Sequence, residues 1–183
     1  MKTEHQLALA LKTMMAEKPL DDISVLAISK KCHVNRQTFY YYFHDIYDLL
    51  SLVFLDEKIK GIENCKTYKS LLTKIYEYYE SNIKFIDATL NSAGKDLFHE
   101  FIYNIFYQSS LRFINSYEEA KLITVINKKS IARFYASAYS NSVIYYLANY
   151  KTKSLNGMLE CFKFTKEHEL KIAIENCVKN TAK

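Results

Sequence analysis

One proline and three glycines in 183 residues restrict the fold of this chain more than any other feature of its sequence. Proteins built from β-sheets use these residues at their turns, whereas the interiors of long helices exclude both. Apolar residues make up 49% of the chain, which is enough for a packed core and argues against disorder. The sequence therefore predicts an all-α protein.

Four helices are predicted in the first sixty residues, and the middle two are short. Their expected bounds are about 4–17, 25–32, 36–43 and 45–61. Thr3 and Gln6 fit a capping box at the start of the first helix, and Pro19 ends it. Good N-cap residues precede the other three helices: Ser24, Asn35 and Asp45. A short helix, a three-residue turn and a second short helix form the helix-turn-helix layout.

After residue 61 the apolar stripes lengthen, which predicts a bundle of longer helices. Their expected bounds are 67–90, 95–117, 128–150 and 155–181, and charged residues at 166–169 interrupt the last stripe. Sixteen Tyr and eleven Phe make the chain rich in aromatic rings. These rings fit either a solid aromatic core or a pocket lined by some of them, and the sequence leaves both interpretations open.

The second short helix holds the side chains best suited to DNA. Phe39 and Phe43 are four residues apart and can anchor the helix to a core, which leaves its other side chains on the surface. Arg36 can form two hydrogen bonds with guanine, and Gln37 can do the same with adenine. Thr38 can touch a thymine methyl group or a phosphate. Three tyrosines whose hydroxyls can donate to phosphates complete the set: Tyr40, Tyr41 and Tyr42.

Net charge does not point to this segment. The chain carries +5 at pH 7, but residues 1–50 hold six basic and six acidic side chains. The whole surplus of positive charge therefore lies in residues 51–183. The DNA-binding assignment depends on the residue pattern of the second short helix and not on charge.

Several other classes of protein are disfavoured by the sequence. The four cysteines are scattered without a CxxC pair or a disulfide framework, which is typical of thiols in a reducing cytoplasm. No apolar run approaches the roughly twenty residues of a membrane span. The His and Cys residues lack the spacing of metal ligands, and neither a glycine-rich phosphate loop nor a nucleophile elbow is present. We expect a cytoplasmic protein that is not an enzyme and binds no metal, cofactor or membrane.

The run Thr38-Phe39-Tyr40-Tyr41-Tyr42-Phe43, followed at the correct spacing by Leu49-Leu50, resembles the signature of the TetR family of bacterial regulators. The close match covers about residues 5–55. Within that family, the run from Arg36 to Phe43 looks like the branch that contains regulators of dihydroxyacetone kinase operons.

This resemblance implies a three-helix DNA-binding domain over residues 1–48, with a linker helix at 45–61, and a ligand-binding and dimerisation domain over 49–183. It also implies a homodimer, formed through the helices at 128–150 and 155–181, on double-stranded operator DNA. Bases would be read from the start of the recognition helix, and its tyrosines would hold the DNA backbone. The candidate DNA-binding residues are Ser24, Asn35, Arg36, Gln37, Thr38, Tyr40, Tyr41 and Tyr42.

Two positions depart from the family pattern. His33 stands in the turn where the family usually has glycine, and histidine tolerates a left-handed conformation only at some cost. Ile46 follows the cap of the fourth helix, where a lysine commonly grips a phosphate. The expected set of backbone contacts is therefore smaller by one in each subunit.

The resemblance further implies a small-molecule effector. The helices at 67–90, 95–117 and 128–150 can present seven residues to a shared pocket: Tyr76, Tyr79, Phe98, Ile102, Phe134, Tyr135 and Tyr139. No acid or base falls clearly on those stripes, so the expected ligand is neutral or weakly polar and of aromatic size. The competing function is a helical partner-binding co-regulator that kept the fold and lost its operator binding.

Overall fold

The computed structural model describes residues 2–165 and 168–181, which form helices and no strand. The α-helices in this part of the chain are α1 (Thr3–Met15), α2 (Val25–Lys31), α3 (Arg36–Tyr42), α4 (Ile46–Asp56), α5 (Tyr68–Ser81), α6 (Ile83–Leu90), α7 (Lys95–Asn115), α8 (Val125–Asn149), α9 (Leu155–Glu160) and α10 (Glu169–Thr181). Short 3₁₀ turns lie at Leu20–Asp22, Ile62–Asn64 and Glu118–Leu122. The predicted all-α fold is confirmed. No helix among the described residues is long and apolar enough to cross a membrane.

The chain divides into two compact units. The N-terminal unit comprises the described residues of Met1–Lys58 and Tyr78–Phe101, and the C-terminal unit comprises those of Ile59–Glu77 and Ile102–Lys183. Helices α5 and α7 therefore each contribute residues to both units. The predicted boundary between residues 48 and 49 separates DNA-binding from ligand-binding residues and not two packed units. These units do not test it, and it stays a prediction.

The core of the N-terminal unit is built on α1 and α4. Leu7 and Leu11, one turn apart on α1, are fully buried where α1 packs against α4. Phe54 of α4 extends this core, because its ring centroid lies 5.5 Å from that of Phe85 and 5.7 Å from that of Phe98. Such tilted ring pairs bury a large apolar area in a defined geometry.

The end of α4 differs from the prediction, since the helix stops at Asp56 rather than near residue 61. The backbone of Glu57 is extended rather than helical, with φ −66° and ψ 137°. Its carboxylate accepts hydrogen bonds from Lys12 Nζ at 2.5 Å and from Tyr78 Oη at 2.8 Å. Hydrogen bonds to an ionised group contribute more than neutral ones, so these distant partners stabilise the early end of the helix.

Three other predictions about helix ends are also wrong. The capping box predicted for Thr3 and Gln6 does not form, because Thr3 is already helical and the carbonyl of Lys2 accepts the Gln6 N–H at 3.2 Å. The predicted helix at 67–90 breaks at Asn82, whose side-chain amide donates to a main-chain carbonyl one turn earlier at 2.9 Å. The predicted helical region at 155–181 contains two helices, because α9 ends at Glu160 and α10 begins at Glu169. Residues 161–165 between them are not α-helical, whereas 166 and 167 of the predicted charged interruption lie outside the described residues.

The C-terminal unit is built around α8 and a stack of aromatic rings. The Tyr139 ring lies between those of Tyr68 and Phe162, at centroid distances of 4.1 and 4.9 Å and with interplanar angles of 17° and 5°. The buried face of α8 also includes Ala136 and Val143. Phe134 was predicted to share this face but is 69% exposed, because α8 carries apolar residues on more than one side and spacing alone does not select the buried one.

A Schellman motif joins α2 to α3. The Val34 N–H donates to the carbonyl of Ser29 at 3.0 Å, and the His33 N–H donates to the carbonyl of Lys30 at 3.1 Å. This pairing requires a left-handed residue after the C-cap, and His33 adopts φ +55° there. The expected left-handed histidine is confirmed. The turn reverses the chain within three residues and fixes the direction in which α3 departs.

Replacing His33 with glycine should stabilise the protein, since glycine adopts positive φ without steric cost. His33→Gly is expected to raise the free energy of unfolding by about 0.5–1 kcal/mol, measured by urea denaturation. Lys31→Gly, at an exposed position in the last turn of α2, is the control and should lower it by about 0.5–1 kcal/mol. A loss of stability in His33→Gly as large as that in Lys31→Gly would contradict strain at this turn.

Two serines of the α2 segment should respond to alanine with opposite signs. The Ser29 hydroxyl is buried and has no hydrogen-bond partner among the described residues. Ser29→Ala should therefore raise the free energy of unfolding by about 1 kcal/mol. Ser24→Ala makes the same chemical change but removes the N-cap bond to Ala27, and it should lower stability by about 1 kcal/mol. Equal effects of the two variants in thermal or urea unfolding would show that the Ser29 hydroxyl is satisfied.

Candidate nucleic-acid interface

Helix α3 begins at a well-formed cap. Asn35 Oδ1 accepts the Thr38 N–H at 2.7 Å and the Thr38 hydroxyl at 3.0 Å. Ser24 Oγ caps α2 in the same way by accepting the Ala27 N–H at 3.2 Å. The capping roles predicted for Ser24 and Asn35 are confirmed, while a contact of either residue with DNA stays a prediction.

Two phenylalanines fix the orientation of α3. Phe39 is fully buried, Phe43 is nearly so, and their ring centroids lie 5.7 Å apart. On the rest of the helix Arg36 and Gln37 are exposed, and Tyr41 is 81% exposed. The remaining candidates on the helix are exposed or half-buried: Tyr40, Tyr42 and Thr38. The structure thus brings all six predicted side chains together on α3, a helix of about two turns that the two rings anchor.

Arg36 is restrained by Tyr40, one turn later on the helix. Its Nη2 donates to Tyr40 Oη at 3.1 Å, and the guanidinium carbon lies 5.4 Å from the centre of the tyrosine ring. A guanidinium group has five N–H donors, so one bond to Tyr40 leaves enough for a base. Restricting the side chain before binding lowers the entropic cost of placing it in a groove.

Two exposed residues beside α3 are missing from the predicted set. The His44 side chain is 93% exposed, and Tyr47 in the first turn of α4 is exposed as well. They lie between buried Phe43 and buried Leu49, in a mostly polar stretch of the chain. That polarity is the feature of the sequence that could have identified them as exposed. Both side chains extend the surface on which α3 can meet a DNA backbone.

Asp45 places a negative charge next to this surface. It caps α4 by accepting the Asp48 N–H at 2.9 Å, and that bond lowers the pKa of the Asp45 carboxyl group. More generally, the N-terminal unit carries nine Lys and Arg against twelve Asp and Glu, whereas the C-terminal unit carries sixteen against eight. General attraction of the N-terminal unit to phosphates is therefore weak.

A second candidate site is a cavity of about 510 Å³ in the C-terminal unit. Buried rings of Phe113, Tyr139 and Phe162 line it, together with the exposed side chains of Lys66 and Lys69. Burial raises the pKa of the Tyr139 phenol, which therefore stays protonated and able to donate. A volume of this size suits a small organic molecule.

The seven predicted ligand-binding residues do not share this cavity. Tyr139 is the only one of them among its described lining residues. Tyr76 and Ile102 are buried elsewhere in the C-terminal unit, Tyr135 there is half-buried and Phe134 is exposed, whereas Tyr79 and Phe98 are buried in the N-terminal unit. Much of the lining comes from helix ends and connections, where apolar periodicity gives no signal. The two lysines and the rings of Phe113 and Phe162 were therefore not predicted.

Comparison with known proteins gives matches to both parts of the chain. Residues 9–53 match the family model described as bacterial regulatory proteins of the tetR family, and residues 66–167 match that of a transcriptional regulator C-terminal region. No curated protein matches the chain. A similar solved structure is that of a protein named dihydroxyacetone kinase operon activator DhaS, with 21% identity, a TM-score of 0.58 and coverage of 97% of each chain. At that identity the likeness shows a shared fold alone.

The first family match contains the helix-turn-helix of α2 and α3, including the exposed Arg36 and Gln37. The second covers more than half of the chain and includes α5 to α9. The two matches lie in the order in which such regulators carry a DNA-binding segment and a helical C-terminal region. The chain therefore belongs to the TetR family of bacterial regulatory proteins and is a DNA-binding transcriptional regulator.

Proposed function

We propose that this regulator reads a palindromic operator as a homodimer, and that a small molecule bound in its C-terminal unit sets its affinity for DNA. The observation that carries the DNA-binding part is the anchored α3, with Arg36 and Gln37 exposed in its first turn. The first turn of a recognition helix is the part that enters the major groove. We also propose that the protein acts in the cytoplasm of a bacterium, where transcription takes place.

The side chains of α3 divide into base readers and backbone contacts. Arg36 and Gln37 can each form paired hydrogen bonds with a purine. The Thr38 hydroxyl hydrogen already points to Asn35, which favours contact of the Thr38 methyl group with thymine. Exposed hydroxyls of Tyr41 and its neighbours donate to phosphates and fix the register.

Arg36→Ala should reduce discrimination between bases rather than only weaken binding. We expect the variant to lose about 1–3 kcal/mol of operator affinity and to relax the base preference at one position in each half-site. The measurement is an electrophoretic shift with DNA from around the gene of this protein, compared with scrambled DNA. Unchanged discrimination between the two DNAs would contradict a base-reading role for Arg36.

Two tyrosine variants serve as matched controls. Tyr42→Phe removes a phosphate donor and should weaken binding to operator and scrambled DNA about equally. Tyr40→Phe keeps the ring beside Arg36 but removes the acceptor of its hydrogen bond, so it should lower discrimination by up to about 1 kcal/mol. If Tyr40→Phe behaves like Tyr42→Phe, the Arg36–Tyr40 contact has no part in base reading.

The dimer proposal is supported by an exposed face of α8. Residues on this face follow one another at intervals of four and three, which aligns them along one side of the helix. Three large side chains on this face are separated by small or polar ones, an arrangement that lets a second helix approach closely. We call it the α8 face: Ile126, Ser130, Phe134, Ser137, Asn141, Tyr145 and Ala148, all of which are exposed. Since α10 also exposes Ile172, both predicted helical regions offer apolar surface to a second copy.

Phe134→Glu should dissociate the dimer. A buried aromatic residue near the centre of an interface often contributes 2 kcal/mol or more, so the dissociation constant should rise by at least about thirtyfold. Light scattering measures the change, and operator binding should be lost with it. Leu55→Glu is the control because it introduces the same charge at an apolar residue of α4 that is 80% exposed and does not belong to the α8 face. A Phe134→Glu protein that stays dimeric would contradict this interface.

Tyr146 of α8 and Met158 of α9 are unsuitable positions for testing the interface, because they lie in the core of the subunit. Both side chains are almost fully buried within the subunit, and Tyr146 Oη accepts the Ser154 N–H at 3.0 Å and donates to its carbonyl at 3.1 Å. Acidic substitutions there would test folding of the α8–α9 connection. The oligomeric state is therefore probed at exposed positions of α8.

Effector control is supported by the cavity of the C-terminal unit. A ligand can change operator affinity only by binding two conformations of the protein with different affinities. The structural neighbour is named an operon activator. We therefore propose that this chain regulates an operon, as either an activator or a repressor. A reporter fused to the adjacent promoter gives the sign directly.

The acidic balance of the N-terminal unit favours the alternative of a co-regulator without an operator of its own. Such a protein would bind a partner regulator through its helical surfaces. The two functions separate in the same electrophoretic shift, since a co-regulator alone does not retard any promoter fragment. The exposed, capped start of α3 leads us to place operator binding first.

A further inference from the structure

Both aromatic rings and lysines line the cavity of the C-terminal unit. Phe113, Tyr139 and Phe162 are buried in its wall, each 7% exposed or less. Lys66 and Lys69 are exposed; Lys69 is in the first turn of α5, and Lys66 lies two residues before this helix. A molecule with an apolar body and a negative end would meet complementary surface at both ends.

The charges around this cavity indicate where a negatively charged group can bind. Lys163 also lines the cavity, but it is paired with Glu160 at 3.1 Å between Nζ and Oε2. Neither Lys66 nor Lys69 forms an ion pair with a described residue. A negatively charged group of a ligand is therefore favoured near these two lysines.

Burial keeps the phenol of Tyr139 protonated in the wall of the cavity. Burial and the Glu169 carboxylate both raise the pKa of this phenol. A protonated phenol offers a hydrogen-bond donor beside the other rings. The rings are therefore suited to an aromatic or aliphatic body with weak acceptors, and the two lysines are suited to an anionic group.

We propose that this cavity binds an amphipathic anion, with an aromatic or aliphatic body against the rings and a carboxylate, sulfonate or phosphate ester at Lys66 and Lys69. This inference rests on the proposed effector control and names the class of effector. It replaces the neutral ligand expected from the sequence, because the lysines line a different cavity from the one that the apolar stripes suggested. A neutral ligand of the same shape binds less tightly.

A pair of fluorescent probes tests the charge requirement. 1-Anilinonaphthalene-8-sulfonate carries one sulfonate, and N-phenyl-1-naphthylamine has the same ring system without a charge. We expect the sulfonate to bind the full-length protein more tightly than the amine, and its affinity to fall with ionic strength while that of the amine does not.

Charge-removing variants locate the anionic end. The double variant Lys66→Gln/Lys69→Gln should weaken binding of the sulfonate about tenfold, or about 1.4 kcal/mol, and leave that of the amine within about twofold. Lys129→Gln/Lys151→Gln makes the same change in net charge at exposed residues outside the cavity and should alter neither. Asn156→Trp, at an exposed lining residue, should weaken both probes by occupying the cavity. Circular dichroism checks that each variant is folded.

The inference is overturned if the lysine variant affects both probes equally, if it affects neither, or if the control pair has the same effect as the cavity pair. It is also overturned if the amine binds as tightly as the sulfonate. Operator binding without any probe is measured in parallel, since its absence contradicts the proposed function instead. Intact operator binding with a failed lysine test contradicts only the class of ligand.

Discussion

The backbone hydrogen bonds of the turn at His33 are the contacts on which the DNA-binding surface depends. They end α2, reverse the chain and place Asn35 where its side chain caps α3. The cap and the buried Phe39 together decide which side of α3 faces outward, and Arg36 is on that side. A histidine holds the left-handed position at a cost of about 1 kcal/mol, small enough for the packing of the unit to offset.

Charge is distributed between the two units in a way that separates their tasks. The N-terminal unit has an excess of acidic residues, so it gains little from general attraction to DNA. Sequence-dependent contacts then form a larger share of its DNA affinity, which favours discrimination over tight non-specific binding. The C-terminal unit holds the excess of basic residues, and two of its lysines line the cavity for which we propose an anionic effector.

The sequence predicted the helix-turn-helix well because its signals are local. Caps, the anchoring phenylalanines and the left-handed turn each depend on residues within one or two turns of helix. It failed where distant contacts decide. The early end of α4 depends on Glu57 meeting Lys12 and Tyr78, which are far away in the chain. The exposure of Phe134 and the lining of the cavity depend on which side of a largely apolar helix is packed, and periodicity carries no information on that choice.

The most direct test of the central claim, that α3 reads an operator as part of a two-fold dimer, is selection of bound duplexes from random DNA by the intact protein. The account predicts an enriched sequence with two inverted half-sites, whose centres lie about 34–36 Å apart or slightly more, since each subunit contributes one recognition helix. Enrichment of a single half-site without a dyad would contradict the dimeric reading, and the absence of any enriched sequence would contradict operator recognition by α3.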